Sequence, residues 1–337
     1  FLEKLNAKYY YHIPNRYTDG YGSSLDFVKK VSIKKPDLVI MVDNGSTSNK
    51  AIDFLNKNNV KSIIIDHHEI FKPYPKSDIL INPKKNTNYK MYDYFCSGVL
   101  TYFFIDLYIK NKKLKLDFSE NLPLVLLTII SDVMPLRKIN RLIANKVLKN
   151  IKFMHDPFFT KIFEIKKIKR PIDIEDFGFL FGPIINSAGR LDDSNIIVDM
   201  FITKDVDFRN KIINKLLQLN EKRKLIEENI IKKINLKKIQ LSKEPVIIYQ
   251  NNLINEGMIG IIASRIKSYV NKPSIIITKS NNIYKGSARS TKDFKIGKFI
   301  KIALDNKLIE TGGGHNLAAG FTIKKENINK FKKFLIN

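Results

Sequence analysis

Two short, unbroken apolar runs constrain the fold most: Leu38-Val39-Ile40-Met41-Val42 and Ser62-Ile63-Ile64-Ile65, with a stretch of helical character over residues 48–58 between them. A strand that alternates apolar and polar residues keeps one wet face, whereas an unbroken apolar strand is buried on both. Parallel neighbours need a long crossover, which is usually a helix. The pattern therefore predicts a parallel α/β sheet. A strand over Tyr9-Tyr10-Tyr11-His12-Ile13 and a helix over residues 24–34 extend it, and residues 97–150 read as mainly helical.

At 337 residues the chain exceeds what one hydrophobic core usually supports, so two domains are expected. Residues 205–239 carry Ile212, Leu216, Leu219, Leu225, Ile226, Ile230 and Ile234 at helical spacing, with no Gly or Pro. They are expected to form a long connecting helix between a first domain over residues 1–204 and a smaller one over 240–337. Beyond that helix, Val246-Ile247-Ile248-Tyr249 and Ser274-Ile275-Ile276-Ile277 read as strands of a second α/β unit. No apolar run approaches the ~20 residues of a membrane span; the longest, Leu122 to Ile130, reads as a buried element. The single cysteine, Cys96, excludes an internal disulfide framework and points to a reducing, cytoplasmic setting. Phe1 is no initiator methionine and no leader pattern follows it, so the chain is expected to start inside something longer, as a processed product, an excised piece or a partial reading frame.

Both buried strands run directly into candidate ligands. Val42 leads into Asp43-Asn44-Gly45, and Ile65 into Asp66-His67-His68. Sites in open parallel sheets form at the carboxyl ends of the strands, which places Asp43 and His67 on one edge. A third acid, Asp132, follows the apolar run. Carboxylates mixed with imidazole suit Mn²⁺ or a similar divalent ion. Taken singly, Asp43 reads better as a turn residue and Asp132 as a helix cap. Two adjacent histidines in a chain with five are harder to explain structurally.

The net charge of +26 suits a polyanionic partner, although codon bias produces the same excess, since 50 of the 59 basic residues are lysine. The nine arginines are more informative, because a planar bidentate donor has no lysine substitute. Arg16, Arg190, Arg265 and Arg289 fall within the motifs below. Three groups are assigned to the second domain: Asn186-Ser187-Ala188-Gly189-Arg190-Leu191, Lys285-Gly286-Ser287-Ala288-Arg289-Ser290 on an expected strand, and Gly312-Gly313-Gly314-His315. Glycine lets backbone N–H groups approach an anion, while Arg and Ser supply side-chain donors. Ser187, Arg190, Gly286, Ser287, Arg289, Ser290, Gly313, Gly314 and His315 are thereby candidate phosphate-binding residues.

In this order the motifs resemble the RecJ exonucleases of the Asp-His-His phosphoesterase superfamily. The series runs from Tyr11-His12-Ile13-Pro14-Asn15-Arg16 with Gly20-Tyr21-Gly22, through Val42-Asp43-Asn44-Gly45, Asp66-His67-His68, Asn82-Pro83-Lys84 and Ser131-Asp132-Val133-Met134-Pro135-Leu136 with Asn140-Arg141. It continues through the Asn186 to Leu191 segment, Leu219-Asn220-Glu221-Lys222-Arg223, Glu256-Gly257-Met258-Ile259-Gly260 with Ala263-Ser264-Arg265, Gly286 to Ser290, and Gly312 to Gly320. The resemblance implies an Asp-His-His domain with a parallel sheet and a smaller mixed-sheet associated domain, joined by the long helix with a cleft between them. It implies a 5′-to-3′ exonuclease for single-stranded DNA, acting in DNA repair and recombination with two Mn²⁺ or Mg²⁺ ions. Asp43 would bridge the ions, and His67 and Asp132 would ligate one of them. His68 would face the scissile phosphate with Asp66 supporting the pair. Arg190, Ser287, Arg289 and His315 would contact DNA phosphates. Single-strand-binding protein and a helicase are the implied protein partners, with no membrane.

The sequence departs from that family at three places. The family's upstream Asp-x-Asp motif precedes the first residue here, so the chain alone is expected to hydrolyse weakly or not at all. Ile254-Asn255 stands where the family has Trp-His, and the chain stops before the family's terminal DNA-binding module. Two alternatives stay open: a nano-RNase or pAp phosphatase of the same superfamily, and a non-catalytic nucleic-acid-binding remnant.

Overall fold

The computed structural model describes residues 1–15, 19, 22–150 and 156–336. Arg16, Gly20 and Tyr21 of the first motif lie outside these residues. The chain divides into two compact units, Phe1–Asn220 and Glu221–Asn337.

The first unit holds a three-stranded parallel sheet in the order β1 (Leu38–Val42), β2 (Lys61–Ile65), β3 (Ile79–Ile81). Helices α1 (Leu25–Ser32) and α2 (Asn49–Lys57) pack Phe27, Val28, Ala51, Ile52 and Leu55 against Met41 and Ile64. The Ser24 side chain caps α1 by accepting from Phe27 N. β1 departs from expectation. It is an edge strand, and Leu38, Ile40 and Val42 are exposed although the run reads as doubly buried. An apolar sequence fits a covered face, but it does not supply the cover.

The expected strand over residues 9–13 is also absent. Ile13 instead donates its N–H to Asn195 Oδ1 at 2.8 Å and accepts from Asn195 Nδ2 at 3.2 Å, and the Tyr11 hydroxyl donates to Asp199. One amide side chain thus satisfies the backbone pair that a neighbouring strand would have taken.

Helices α3 (Ser97–Asn111), α4 (Leu122–Ser131) and α5 (Lys138–Lys149) form the helical part anticipated over residues 97–150. Their core extends to Phe158, Phe159, Phe177 and Phe181, and Cys96 is buried within it. The α4 helix carries Pro123 in its first turn, where the missing N–H costs nothing. A long helix spans Val206–Lys233, and a short one, Leu236–Gln240, follows it. The division between the units falls inside the long helix, after Asn220. Its Ile212, Ile213, Leu216 and Leu217 belong to the first core. In the second unit its buried Glu227 accepts from Arg223 at 2.9 Å and from Arg265.

The second unit is a five-stranded mixed sheet in the order β4 (Ile247–Gln250), β5 (Ser274–Ser280), β6 (Ile283–Arg289), β8 (Ala318–Ile323), β7 (Thr311–His315). Only β4 and β5 are parallel. Both units are α/β, as expected. Among the described residues no helix is long and apolar enough to cross a membrane.

Candidate metal centre and anion-binding strand

The parallel ladder carries its hydrogen bonding one residue past the strands, with Asp43 N donating to Ile65 O at 3.0 Å and Asp66 N donating to Ile81 O at 2.9 Å. The chain then turns sharply. Asp43 adopts a left-handed conformation at φ 63°, one that a short polar side chain tolerates. Gly45 follows at φ 105°, where a β-carbon would stand 3.1 Å from Ile64 Cγ2 and 3.2 Å from Met41 Sδ. A side chain there would be both strained and crowded, so glycine is required to bring Asp43 back over the strand ends.

His67 stands between two carboxylates. Its Nε2 lies 3.3 Å from Asp43 Oδ1 and 3.6 Å from Asp132 Oδ2. Two ligand atoms bound about 2.1 Å from one ion are about 3.0 Å apart at a right angle and about 3.4 Å apart at the tetrahedral angle. Both observed separations are near that range. Asp43, His67 and His68 can each offer a ligand atom such that all three lie within 4.8 Å of one another. Burial, and after it the nearby Asp43 carboxylate, push the Asp132 carboxyl above its ordinary pKa. Two crowded acids on one imidazole form a donor set that a divalent cation would satisfy.

Asp66 is buried beneath this group and organises it. Its Oδ1 accepts from His67 N at 2.8 Å, from His68 N at 3.2 Å and from His68 Nδ1 at 2.7 Å, while Oδ2 accepts from Ser46 N at 3.1 Å. Burial alone would raise its pKa, but the bonds from His68 and Ser46 outweigh it and hold the carboxyl well below the usual range. The same bond from Asp66 raises the pKa of His68, against the lowering effect of burial. Asn82 supports the arrangement, its Nδ2 donating to Ser46 Oγ at 2.8 Å and to His68 O at 2.9 Å. Sequence reasoning gave Ser46 and Asn82 no role. Asn82-Pro83 directly after a parallel strand is the signal that could have found Asn82.

Of the phosphate-binding candidates, β6 presents one coherent group. Lys285, Ser287 and Arg289 alternate with the buried Tyr284, Gly286 and Ala288. Arg289 Nη1 donates to Ser287 Oγ at 3.3 Å and to Ala288 O at 2.9 Å. The helix Ile259–Val270 begins beside them, since a β-carbon at Gly260 would stand 3.1 Å from Arg289 Nη2 and 3.2 Å from Ser287 Oγ. Gly312 to His315 lie on β7, and each glycine has its own surroundings. At Gly314, φ is 152° and a β-carbon would meet Ala318 O at 2.3 Å, whereas at Gly313 it would meet nothing within 4 Å. His315 O lies against the first turn of the helix Ile296–Asp305, 2.7 Å from a β-carbon built on Gly297.

Three of the candidates are placed otherwise than expected. Ser187 is fully buried, and its hydroxyl already donates to Ile184 O at 2.6 Å. Ser290 is buried too, with its hydroxyl donating to Phe294 O at 2.6 Å. Gly286 faces the core, where a β-carbon would meet the Phe321 ring at 2.1 Å. All three are packing residues in this fold. Ser187 and Arg190 also lie on the helix Gly182–Leu191, within the first unit rather than the second.

The DHH family N-terminal domain model matches residues 1–129, and the DHHA1 domain model matches residues 243–337. The chain is similar to the single-stranded-DNA-specific exonuclease RecJ of Haemophilus influenzae, at 30% identity over 96% of this chain and 59% of that protein. It is similar to the RecJ of Escherichia coli at 28% identity, over 96% of this chain and 59% of that protein. The chain thus spans about three fifths of the length of these curated relatives. Among solved structures, RecJ in complex with Mn²⁺ from Thermus thermophilus superposes with a TM-score of 0.81 at 24% identity, covering 99% of this chain and 48% of that one. Exonuclease RecJ bound to manganese superposes with a TM-score of 0.75 at 24% identity, covering 99% and 83%. The fold is therefore that of these proteins.

Proposed function

The chain belongs to the DHH family, with a DHH domain followed by a DHHA1 domain, and from that membership we propose that it is the central part of a metal-dependent exonuclease for single-stranded DNA. The observation that carries this reading is the convergence of Asp43, His67 and Asp132 at the ends of β1, β2 and α4. In this reading those three residues would hold a divalent ion, Mn²⁺ or Mg²⁺, and Asp43 would be shared with a second. Such an ion would supply Lewis acidity to a phosphoryl oxygen and to a bound water.

The other residues orient the substrate. Asp66 fixes the ring orientation of His68 through its Nδ1, and in this reading the other ring nitrogen faces the phosphate. Ser287 and Arg289, beside the first turn of the helix at Gly260, offer donors to a second phosphate. Gly313 admits a backbone at close range, because it has open space and no packing role. Arg190 and His315 complete the proposed contacts. The relatives' names supply single-stranded DNA as the substrate. Digestion from the 5′ end, a role in DNA repair and recombination, single-strand-binding and helicase partners, and a cytoplasmic setting are further parts of the proposal, carried by the resemblance.

Substrate class is tested by equilibrium binding. With Ca²⁺ present, the chain should bind a 5′-phosphorylated single strand of some thirty nucleotides more tightly than a duplex of the same sequence. It should also bind that strand at least about tenfold more tightly than a dinucleotide or pAp. Charge alone favours the denser duplex, so a single-strand preference is not a consequence of net charge. Equal or tighter binding of the dinucleotide or pAp would replace this reading with that of a short-oligonucleotide phosphoesterase.

A further inference from the structure

The turn after Asp132 is closed by two backbone bonds, from Val133 N to Ile130 O at 3.0 Å and from Met134 N to Ile129 O at 2.9 Å. This pair of bonds ends a helix on a residue in the left-handed conformation, a position glycine usually takes. Val133 takes it here, at φ 55°. A β-carbon crowds the next carbonyl in that conformation, and a β-branched side chain fits it worst. The other non-glycine residues with positive φ among the described residues are all Asn, Asp or Lys.

Among the described residues, Val133 is 87% exposed and belongs to no hydrophobic core cluster, so no core packing there offsets this strain. An exposed apolar side chain at a glycine position would ordinarily mark an unremarkable surface turn. This one directly follows Asp132, whose carboxylate lies 3.6 Å from His67 Nε2. Backbone strain beside a reactive centre persists where the strained residue serves the site.

We propose that Val133 is a substrate-contacting residue whose isopropyl group packs on the deoxyribose of the nucleoside flanking the phosphate held at Asp43, His67 and Asp132. The inference rests on the single-stranded-DNA reading above. Adjacent Cα atoms are about 3.8 Å apart, so the exposed Val133 is close enough to the Asp132 carboxylate for a sugar flanking an ion-bound phosphate to reach it. The deoxyribose face is apolar and common to all four nucleotides. A valine there adds contact area and sheds water beside the reacting phosphorus without reading sequence.

The test compares Val133→Gly, Val133→Ala and Val133→Ile with the parent chain, reading Tm, Mn²⁺ affinity and the Kd for a fluorescein-labelled, 5′-phosphorylated oligothymidylate in Ca²⁺. Val133→Gly should relieve the strain and raise Tm by roughly 2–4 °C. It should nevertheless weaken oligonucleotide binding roughly fivefold while leaving Mn²⁺ affinity unchanged. Val133→Ala keeps the β-carbon, so it should lose affinity without that gain in Tm, and Val133→Ile should bind as the parent does. If the glycine and alanine variants both bind like the parent, Val133 contacts no substrate and the inference fails. A glycine variant no more stable than the parent removes its premise. A parent chain that does not bind the oligonucleotide overturns the underlying reading instead.

Discussion

Asp66 Oδ1 accepts from His68 Nδ1 at 2.7 Å, and the same oxygen accepts the backbone N–H of His67 and of His68. One buried carboxylate therefore sets both the ring orientation of His68 and the backbone that carries His67. Replacing it by an amide of the same shape removes the charge and mismatches its partners. Asp66→Asn should lower unfolding free energy by about 2–3 kcal/mol, measured by urea denaturation, because bonds to a charged acceptor are among the stronger ones. It should also weaken Mn²⁺ binding although it ligates nothing. An Asp66→Asn chain with parental stability would mean the bond network is dispensable.

The three glycines of β7 separate packing from function. Gly314→Ala places a β-carbon on Ala318 O in a conformation hostile to alanine, so it should destabilise the second unit by more than about 1 kcal/mol. Gly313→Ala meets nothing and should leave Tm unchanged while weakening single-strand binding. Equal losses of stability in both would contradict the assignment of open space at Gly313.

Arg289 is one of nine arginines in a chain with 50 lysines. An ammonium cannot reproduce the planar fork, so Arg289→Lys should already weaken binding of a 5′-phosphorylated single strand about tenfold, or about 1.4 kcal/mol. Lysine-to-alanine changes at exposed positions should give small, salt-sensitive losses. Unchanged affinity in Arg289→Lys would remove it from the phosphate contacts.

Away from the site, Asp176 accepts from Arg170 Nη1 at 2.8 Å, from Arg170 Nη2 at 2.7 Å and from Asp173 N at 2.9 Å. Burial raises its pKa, but these bonds prevail and hold it below the ordinary value. The unfolded chain then takes up this proton more readily than the folded one. The contribution is therefore fully present above about pH 4 and lost as pH falls through the folded pKa. Arg170 is half exposed, so screening limits the effect to about 1 kcal/mol or less. The fall in urea midpoint between pH 6 and pH 3 should be smaller in Asp176→Asn than in the parent.

What the sequence made legible follows from where chemistry meets the strand ends. Asp43 and His67 could be placed on one edge because parallel strands put their carboxyl ends together. Asp132 joined them because the apolar run before it formed α4. That apolar surface would be exposed at the sheet's edge was expected from the absent upstream motif, but that it would fall on Leu38, Ile40 and Val42 was not legible, since an apolar run states what would tolerate burial and not what lies over it. The hydroxyls of Ser187 and Ser290 read as phosphate donors, but backbone carbonyls already receive them. Residues 9–13 read as a strand because of their aromatic and β-branched content. Their backbone partner is a single asparagine 182 positions away from Ile13, which no local pattern reveals.

The most direct test of the metal centre is a calorimetric titration of the chain with Mn²⁺, alongside Asp43→Ala. The geometry around His67 Nε2 predicts saturable binding that the substitution weakens at least about tenfold, because a ligand is lost from a three-residue set. Equal affinity in the two chains, or no binding by the parent, would contradict the site.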